Sequence, residues 1–257
     1  MIRYENVTKT YPARAEPVLV DFDLEIEEGT FCVLLGRSGS GKTTALRMPN
    51  RMVDPTSGRV LVAGTDVRET DPIALRRKTG YVLQRIGLLP HFSVQENVAL
   101  VPRLEGWSPA RTRERVDELL ELVGLEPDLY RARMPNELSG GQQQRVGVAR
   151  ALAAKPRVLL MDEPFGALDP LTRVELRREV GALHRRLGLT TLMVTHDVVE
   201  ALLLADRIVI LDDGRIAQAG APADVVARPA SDFVRQTLSS PKVEIDKLED
   251  LFQTGDA

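Results

Sequence analysis

The hydrophobic positions of this chain change period along its length. From Val18 to Ile26 they alternate, with Val18, Val20, Phe22, Leu24 and Ile26 on one side and Leu19, Asp21, Asp23 and Glu25 on the other. Period two with acids on one face predicts a half-buried strand of an antiparallel sheet, which leaves one face to water. Arg59-Val-Leu-Val-Ala-Gly64 predicts a second short strand ended by glycine, so the opening third reads as an antiparallel sheet. From Ser108 to Gly124 the period becomes helical: Val116, Leu119, Leu120 and Val123 recur at i, i+3, i+4, i+7, behind a Ser108 cap and Pro109. A second helix is predicted over 170–187, capped by Asp169, striped by Leu176, Val180, Leu183 and Leu187, and ended by Gly188. The apolar runs Phe31–Leu35, Val158–Met161, Thr191–Val194 and Ile208–Leu211 are short and unalternating. Strands of that kind, interleaved with helices, predict a parallel sheet buried on both faces. The helical stretch of about 88–150 breaks the alternation and reads as an inserted subdomain. The polar residues 239–257 read as a short tail, and no internal repeat is found.

Composition narrows the class. The 257 residues suit one large α/β domain with a subdomain. A net charge of −3 from 34 basic and 37 acidic residues gives no basic footprint for nucleic acid and no polybasic membrane patch. The single cysteine, Cys32, falls inside an apolar strand and is expected to be a buried thiol, with no disulfide within the chain. Residues 1–6 lack a signal peptide's apolar stretch, and runs such as Ala201–Ala205 fall far short of the roughly 18 residues of a membrane span. The chain is expected to be soluble and cytosolic, with membrane contact only through a partner.

Two motifs carry the chemistry. Gly36-Arg37-Ser38-Gly39-Ser40-Gly41-Lys42-Thr43-Thr44 fits the phosphate-loop pattern G-x-x-x-x-G-K-[ST], between the Phe31–Leu35 strand and a helix expected over 42–47. Its glycines let backbone N–H groups turn toward a polyphosphate at a helix N-terminus; Lys42 would reach the β- and γ-phosphates and Thr43 would ligate Mg²⁺. The second is the strand Val158–Met161 ending in Asp162 and Glu163. Asp162 would hold Mg²⁺ through water, and Glu163 would orient or deprotonate an attacking water. The expectation from these two motifs is binding and hydrolysis of a nucleoside triphosphate with Mg²⁺.

Leu138-Ser139-Gly140-Gly141-Gln142, just upstream of that strand, resembles the L-S-G-G-Q signature of the ATP-binding cassette proteins. The resemblance covers residues 1 to about 238. It implies an α/β P-loop NTPase core with a parallel sheet, an N-terminal antiparallel β subdomain and the inserted α-helical subdomain. It implies that Tyr11 stacks on adenine, that Gln84 is the Q-loop glutamine near Mg²⁺, that Asp169 lies in the D-loop and that His196 is the switch histidine at the γ-phosphate. It further implies a second copy of the chain, closing head to tail so that Ser139, Gly140, Gly141 and Gln142 of one subunit complete the nucleotide site of the other.

A single cassette without spans looks like the ATPase subunit of an importer, at the cytoplasmic face of the inner membrane, with separate permease and solute-binding subunits. The stretch from Arg85 to Pro102, with Leu104–Trp107 and Met48–Arg51, resembles importers of glycine betaine, carnitine and choline. An importer of polar amino acids is the nearest alternative. A soluble cassette acting on DNA or ribosomes is a remoter one, and a small-molecule kinase would leave the signature unexplained; no nucleic-acid partner is expected. A regulatory CBS pair, which many osmoprotectant cassettes carry, is not expected here. Pro49 stands where the family usually has an aliphatic residue, and predicts either that the helix after the phosphate loop ends or kinks near Arg47 or that this helix is weakened.

Overall fold

A computed structural model of the chain describes residues 1–239 except 14, 85 and 86. Residues 240–257 of the expected tail, and Arg85 and Ile86, lie outside the described residues.

Four strands, β1 (Ile2–Lys9), β2 (Leu19–Ile26), β4 (Ser57–Val62) and β5 (Thr65–Asp66), form an antiparallel sheet in the order β2-β1-β4-β5. Six more form the second sheet: β3 (Phe31–Gly36), β6 (Thr79–Val82), β7 (Val158–Asp162), β8 (Thr190–Thr195), β9 (Arg207–Asp212) and β10 (Arg215–Gly220). Its order is β10-β9-β3-β8-β7-β6, parallel throughout except for the β9–β10 hairpin. The helices include α1 (Lys42–Leu46), α2 (Pro72–Arg77), α3 (Val94–Leu104), α4 (Pro109–Leu122), α5 (Pro127–Tyr130), α6 (Gly140–Leu152), α7 (Pro170–Leu187), α8 (Val198–Leu204) and α9 (Pro222–Ala227).

The six-stranded sheet feeds two cores because successive side chains on a strand point to opposite faces. Phe31, Val33, Leu35, Leu159, Met161 and Met193 pack into a core shared with α3, α4 and α6. The alternate residues Cys32, Leu34, Val158, Leu160, Leu192 and Val194 join Ile2, Tyr4, Phe22 and Ile26 of the antiparallel sheet and Leu46 of α1. Helices α3–α6 fall between β6 and β7 in the chain, and share their apolar core with one face of the parallel sheet.

Two local expectations need correction. The alternation over 18–26 slips in phase: Leu19 is buried with Phe22, Leu24 and Ile26, while Val20 is only half-buried. The cause is a bulge. Asp21 takes φ 44, and the pairing moves from Val7↔Phe22 to Lys9↔Leu19, three residues on β2 against two on β1. Leu187, placed on the α7 stripe, is 37% exposed, because the helix stops in a left-handed Gly188 at φ 60 before another turn can cover it.

At Pro49 the helix ends, as one of the two expected outcomes has it, with Arg47 as the C-cap of α1. Residue 49 cannot donate to the carbonyl of Ala45. That carbonyl instead accepts from Met48 N at 3.2 Å and from the buried Tyr4 hydroxyl at 2.9 Å. A strand of the antiparallel sheet thus satisfies the acceptor that proline leaves free.

Candidate functional site

The parallel strands β3, β6, β7 and β8 all run toward one edge of the sheet, so the residues after their C-terminal ends gather there. Gly36 closes β3, Asp162 closes β7, and Gln84 and His196 follow β6 and β8 within two residues.

Residues 36–44 wrap the N-terminus of α1. Gly36, Gly39 and Gly41 have φ 155, 85 and 98, and the left-handed values at 39 and 41 fold the loop back over the helix. Lys42 is 5% exposed, and its Nζ donates to Gly36 O at 2.8 Å and Arg37 O at 2.7 Å, with Ser40 Oγ at 3.5 Å. Burial pulls its pKa below the ordinary lysine value, while Glu163 and Asp162 push it back up. Ser40 is buried, whereas Arg37, Ser38 and Gly39 face outward, and the Arg37 guanidinium lies 5.2 Å from the centre of the Phe233 ring. Tyr11, Val18, Ser38, Gly39, Gly41, Lys42, Thr43, Thr44 and Glu163 line a cavity of about 260 Å³. On its wall the Tyr11 and Thr44 hydroxyls approach to 3.3 Å.

The carboxylates stand beside this loop. Asp162 is 2% exposed, and its Oδ1 accepts from the Thr43 hydroxyl at 3.1 Å. Its Oδ2 faces Arg47 Nη2 at 3.4 Å. Glu163 has φ 44, a conformation that costs a non-glycine residue about 1–2 kcal/mol. Its amide is held by Val194 O at 3.0 Å. In that pose Glu163 Oε2 accepts from Gln84 Nε2 at 2.8 Å, and Oε1 lies 3.4 Å from His196 Nδ1. Local backbone strain thus turns one carboxylate toward the rim of the cavity, between a glutamine and a histidine.

A basic loop at a helix N-terminus, a cavity and two carboxylates at a parallel-sheet edge are the parts of a phosphate-binding site, and comparison with known proteins assigns its kind. The family model described as "ABC transporter" matches residues 19–166. The chain is 53% identical over 236 residues to the glycine betaine uptake system ATP-binding protein YehX of Escherichia coli (strain K12), covering 92% of this chain and 76% of that protein. It is 47% identical over 256 residues to the glycine betaine/carnitine/choline transport ATP-binding protein OpuCA of Bacillus subtilis (strain 168), covering 98% and 67%. The chain belongs to the ABC transporter family. Its fold matches the dimeric ATP-binding cassette MJ0796, solved with ADP and Pi in a post-hydrolysis state, at TM-score 0.78 and 36% identity over 86% of this chain and 99% of that one. The protein is therefore an ATP-binding, α/β P-loop ATPase of the ABC type.

The cassette's signature residues sit elsewhere. Ser139 is the N-cap of α6, with Gln142 N donating to its Oγ at 3.3 Å and its own N donating to Gln142 Oε1 at 3.0 Å. Gln142 also donates to the Tyr130 hydroxyl at 3.0 Å. Ser139 and Gly140 are exposed, while Gly141 abuts α7 so closely that a Cβ there would meet Thr172 Cγ2 at 2.5 Å. Asp169 caps α7 through Thr172 N at 3.1 Å, and hydrogen bonds from Thr172 hold its carboxyl below the usual range. None of residues 139–142 lines the phosphate-loop cavity.

Arg47 at Asp162 escaped the motif reading. Its signal was in the chain: Thr43 and Arg47 are four apart on one helix face. Glu200 also escaped; it is 3% exposed and bonded to Thr195. Among the described residues no helix is long and apolar enough to cross a membrane, and no three His, Cys, Asp or Glu side chains converge into a metal cluster.

Proposed function

We propose that two copies of this chain close head to tail around two ATP molecules and so drive a permease that imports quaternary amines such as glycine betaine, carnitine or choline. The observation that carries the reading is Glu163, braced by Gln84 at 2.8 Å and His196 at 3.4 Å beside the cavity of Lys42. The solute class rests on the relatives' stated activities.

In this reading Lys42 leaves the carbonyls of Gly36 and Arg37 for the β- and γ-phosphates, and the N–H groups of residues 36–44 cradle them at the positive end of α1. Tyr11 stacks on the adenine. Thr43 and Asp162 suit Mg²⁺, because a hydroxyl and one buried carboxylate are hard oxygen donors, and no all-protein cage is needed when phosphates and water complete the shell. Thr43 and Asp162 would hold such an ion, and it would supply positive charge against the phosphates. Glu163 orients the attacking water and draws its proton; His196 holds the γ-phosphate oxygens. Residues Ser139–Gln142 and Asp169 serve the partner copy's nucleotide, a role that their absence from the lining of this chain's own cavity supports. Gln84 links hydrolysis to the permease, a solute-binding subunit supplies the cargo, and the cassette works at the cytoplasmic face of the membrane.

Glu163→Gln keeps the bond to Gln84 but removes the base. ATP affinity is expected to persist, hydrolysis to fall by at least about 100-fold, and a dimer to accumulate with ATP in size-exclusion chromatography. Full turnover in this variant would overturn the assignment. ATPase stimulation by a betaine-loaded binding protein in permease vesicles, and not by an amino-acid-loaded one, tests the solute class.

A further inference from the structure

His196 has little to hold its ring. Its side chain is 66% exposed, and its ion-pair contact is Glu163 at 3.4 Å. A side chain so placed takes its direction from the backbone on either side, and both neighbours are tied down. Thr195, the last residue of β8, is 2% exposed; its Oγ1 accepts from Asp197 N at 3.0 Å and donates to Glu200 Oε2 at 2.5 Å. Asp197 caps α8, with its Oδ1 accepting from Val199 N at 2.7 Å and Glu200 N at 3.1 Å. The segment 195–200 is therefore a closed knot, and His196 is the residue that projects from it.

Glu200 is the member whose presence packing does not explain. It lies on the buried face of α8, 3% exposed, where a leucine would fill space without the cost of burying a carboxyl. Among the described residues it has no ion-pair partner. The cation facing this corner, Arg173, reaches Asp197 Oδ2 at 4.0 Å and donates to Leu168 O at 3.1 Å. Burial accordingly raises the pKa of Glu200, with Asp197 adding to the rise and Thr195, Arg173 and His196 opposing it. What the carboxyl contributes is one bond. It accepts the hydrogen bond that the Thr195 hydroxyl donates, which leaves the hydroxyl's lone pairs to the Asp197 amide and locks the peptides flanking His196.

We propose that Glu200 is a positioning residue for His196, acting through the Thr195 hydroxyl. The proposal rests on the role given above to His196, and concerns a residue that touches no nucleotide in that reading.

The test compares Glu200→Leu, Glu200→Gln, Thr195→Val and the double variant Glu200→Leu/Thr195→Val. The chain has three histidines, His91, His184 and His196, so ¹⁵N-histidine NMR resolves the ring of His196 once His196→Ala has assigned it. Glu200→Leu is expected to lower kcat about tenfold or more at a KM for ATP within about twofold of wild type, and to shift the His196 ring signals. Thr195→Val is expected to match it, with the double variant no worse than either single one. Glu200→Gln, which keeps a hydrogen-bonding partner for Thr195, is expected to stay within about threefold of wild type. If Glu200→Leu fails to fold, the nearly isosteric Thr195→Val carries the comparison. An unchanged kcat and unchanged His196 signals in Thr195→Val overturn the proposal, as does a Glu200→Gln variant as impaired as Glu200→Leu. Full turnover in His196→Ala would instead overturn the role of His196 itself, so the two failures are distinguishable.

Discussion

Adding one methyl group at Gly41 and, separately, at Gly39 isolates what the phosphate loop's close packing contributes. Both glycines have left-handed φ, 98 and 85, so either alanine meets the backbone penalty of about 1–2 kcal/mol. Their surroundings differ. A Cβ at Gly39 has nothing within 4 Å, whereas one at Gly41 would lie 2.6 Å from Val18 O and 2.7 Å from Leu19 Cδ2. Val18 O is backbone immediately before β2, and Leu19 is fully buried, so neither yields without moving the strand or the loop. Overpacking of that kind adds about 1–3 kcal/mol. At this chain length each kcal/mol is worth about 2–4 °C, so Gly41→Ala should melt about 2–12 °C below Gly39→Ala. Displacing residue 41 also displaces Lys42, and affinity for a fluorescent ATP analogue should fall at least about tenfold in Gly41→Ala. Thermal melts and nucleotide titration of the two variants side by side are sufficient. Equal melting temperatures, or wild-type nucleotide affinity in Gly41→Ala, would refute the reasoning.

Tyr4→Phe removes the side-chain bond to the buried Ala45 carbonyl and leaves it to backbone donors such as Met48 N at 3.2 Å, and should cost about 1–2 kcal/mol, a loss of about 2–8 °C in Tm with nucleotide affinity little changed. Burial raises the Cys32 thiol from 9.0 to about 12, so the folded state holds its proton more tightly than the unfolded one. Stability from this group is complete below pH 9 and is lost as pH rises from there toward 12, a slope that Cys32→Ala should remove in denaturant titrations at stepped pH. The native thiol should also resist a thiol reagent at neutral pH and react on unfolding; rapid native labelling would contradict the burial.

Much of the fold is legible in local pattern. The 170–187 helix matches to the residue because its start and stop are chemical, an aspartate that caps and a glycine that tolerates a left-handed turn. The apolar runs of the parallel sheet are recognisable because both their faces meet cores. The first strand, Ile2–Lys9, escaped notice, since a left-handed Asn6 interrupts its alternation, and the bulge at Asp21 misled the phase of its neighbour. Neither irregularity has meaning until two strands are paired.

The residue types and spacing along the chain already dictated a phosphate-binding turn, a carboxylate pair after a strand and the order of the cassette motifs. Each follows from a few neighbouring residues. Long-range packing settled the rest: that Gln84 and His196 meet on Glu163, that Arg47 reaches Asp162, that Tyr4 serves the carbonyl freed by Pro49, and that Glu200 closes behind His196. The Glu163, Asp162 and His196 contacts exist because parallel strands bring their C-terminal ends to a common edge, and the Tyr4 contact exists because the antiparallel sheet packs on α1.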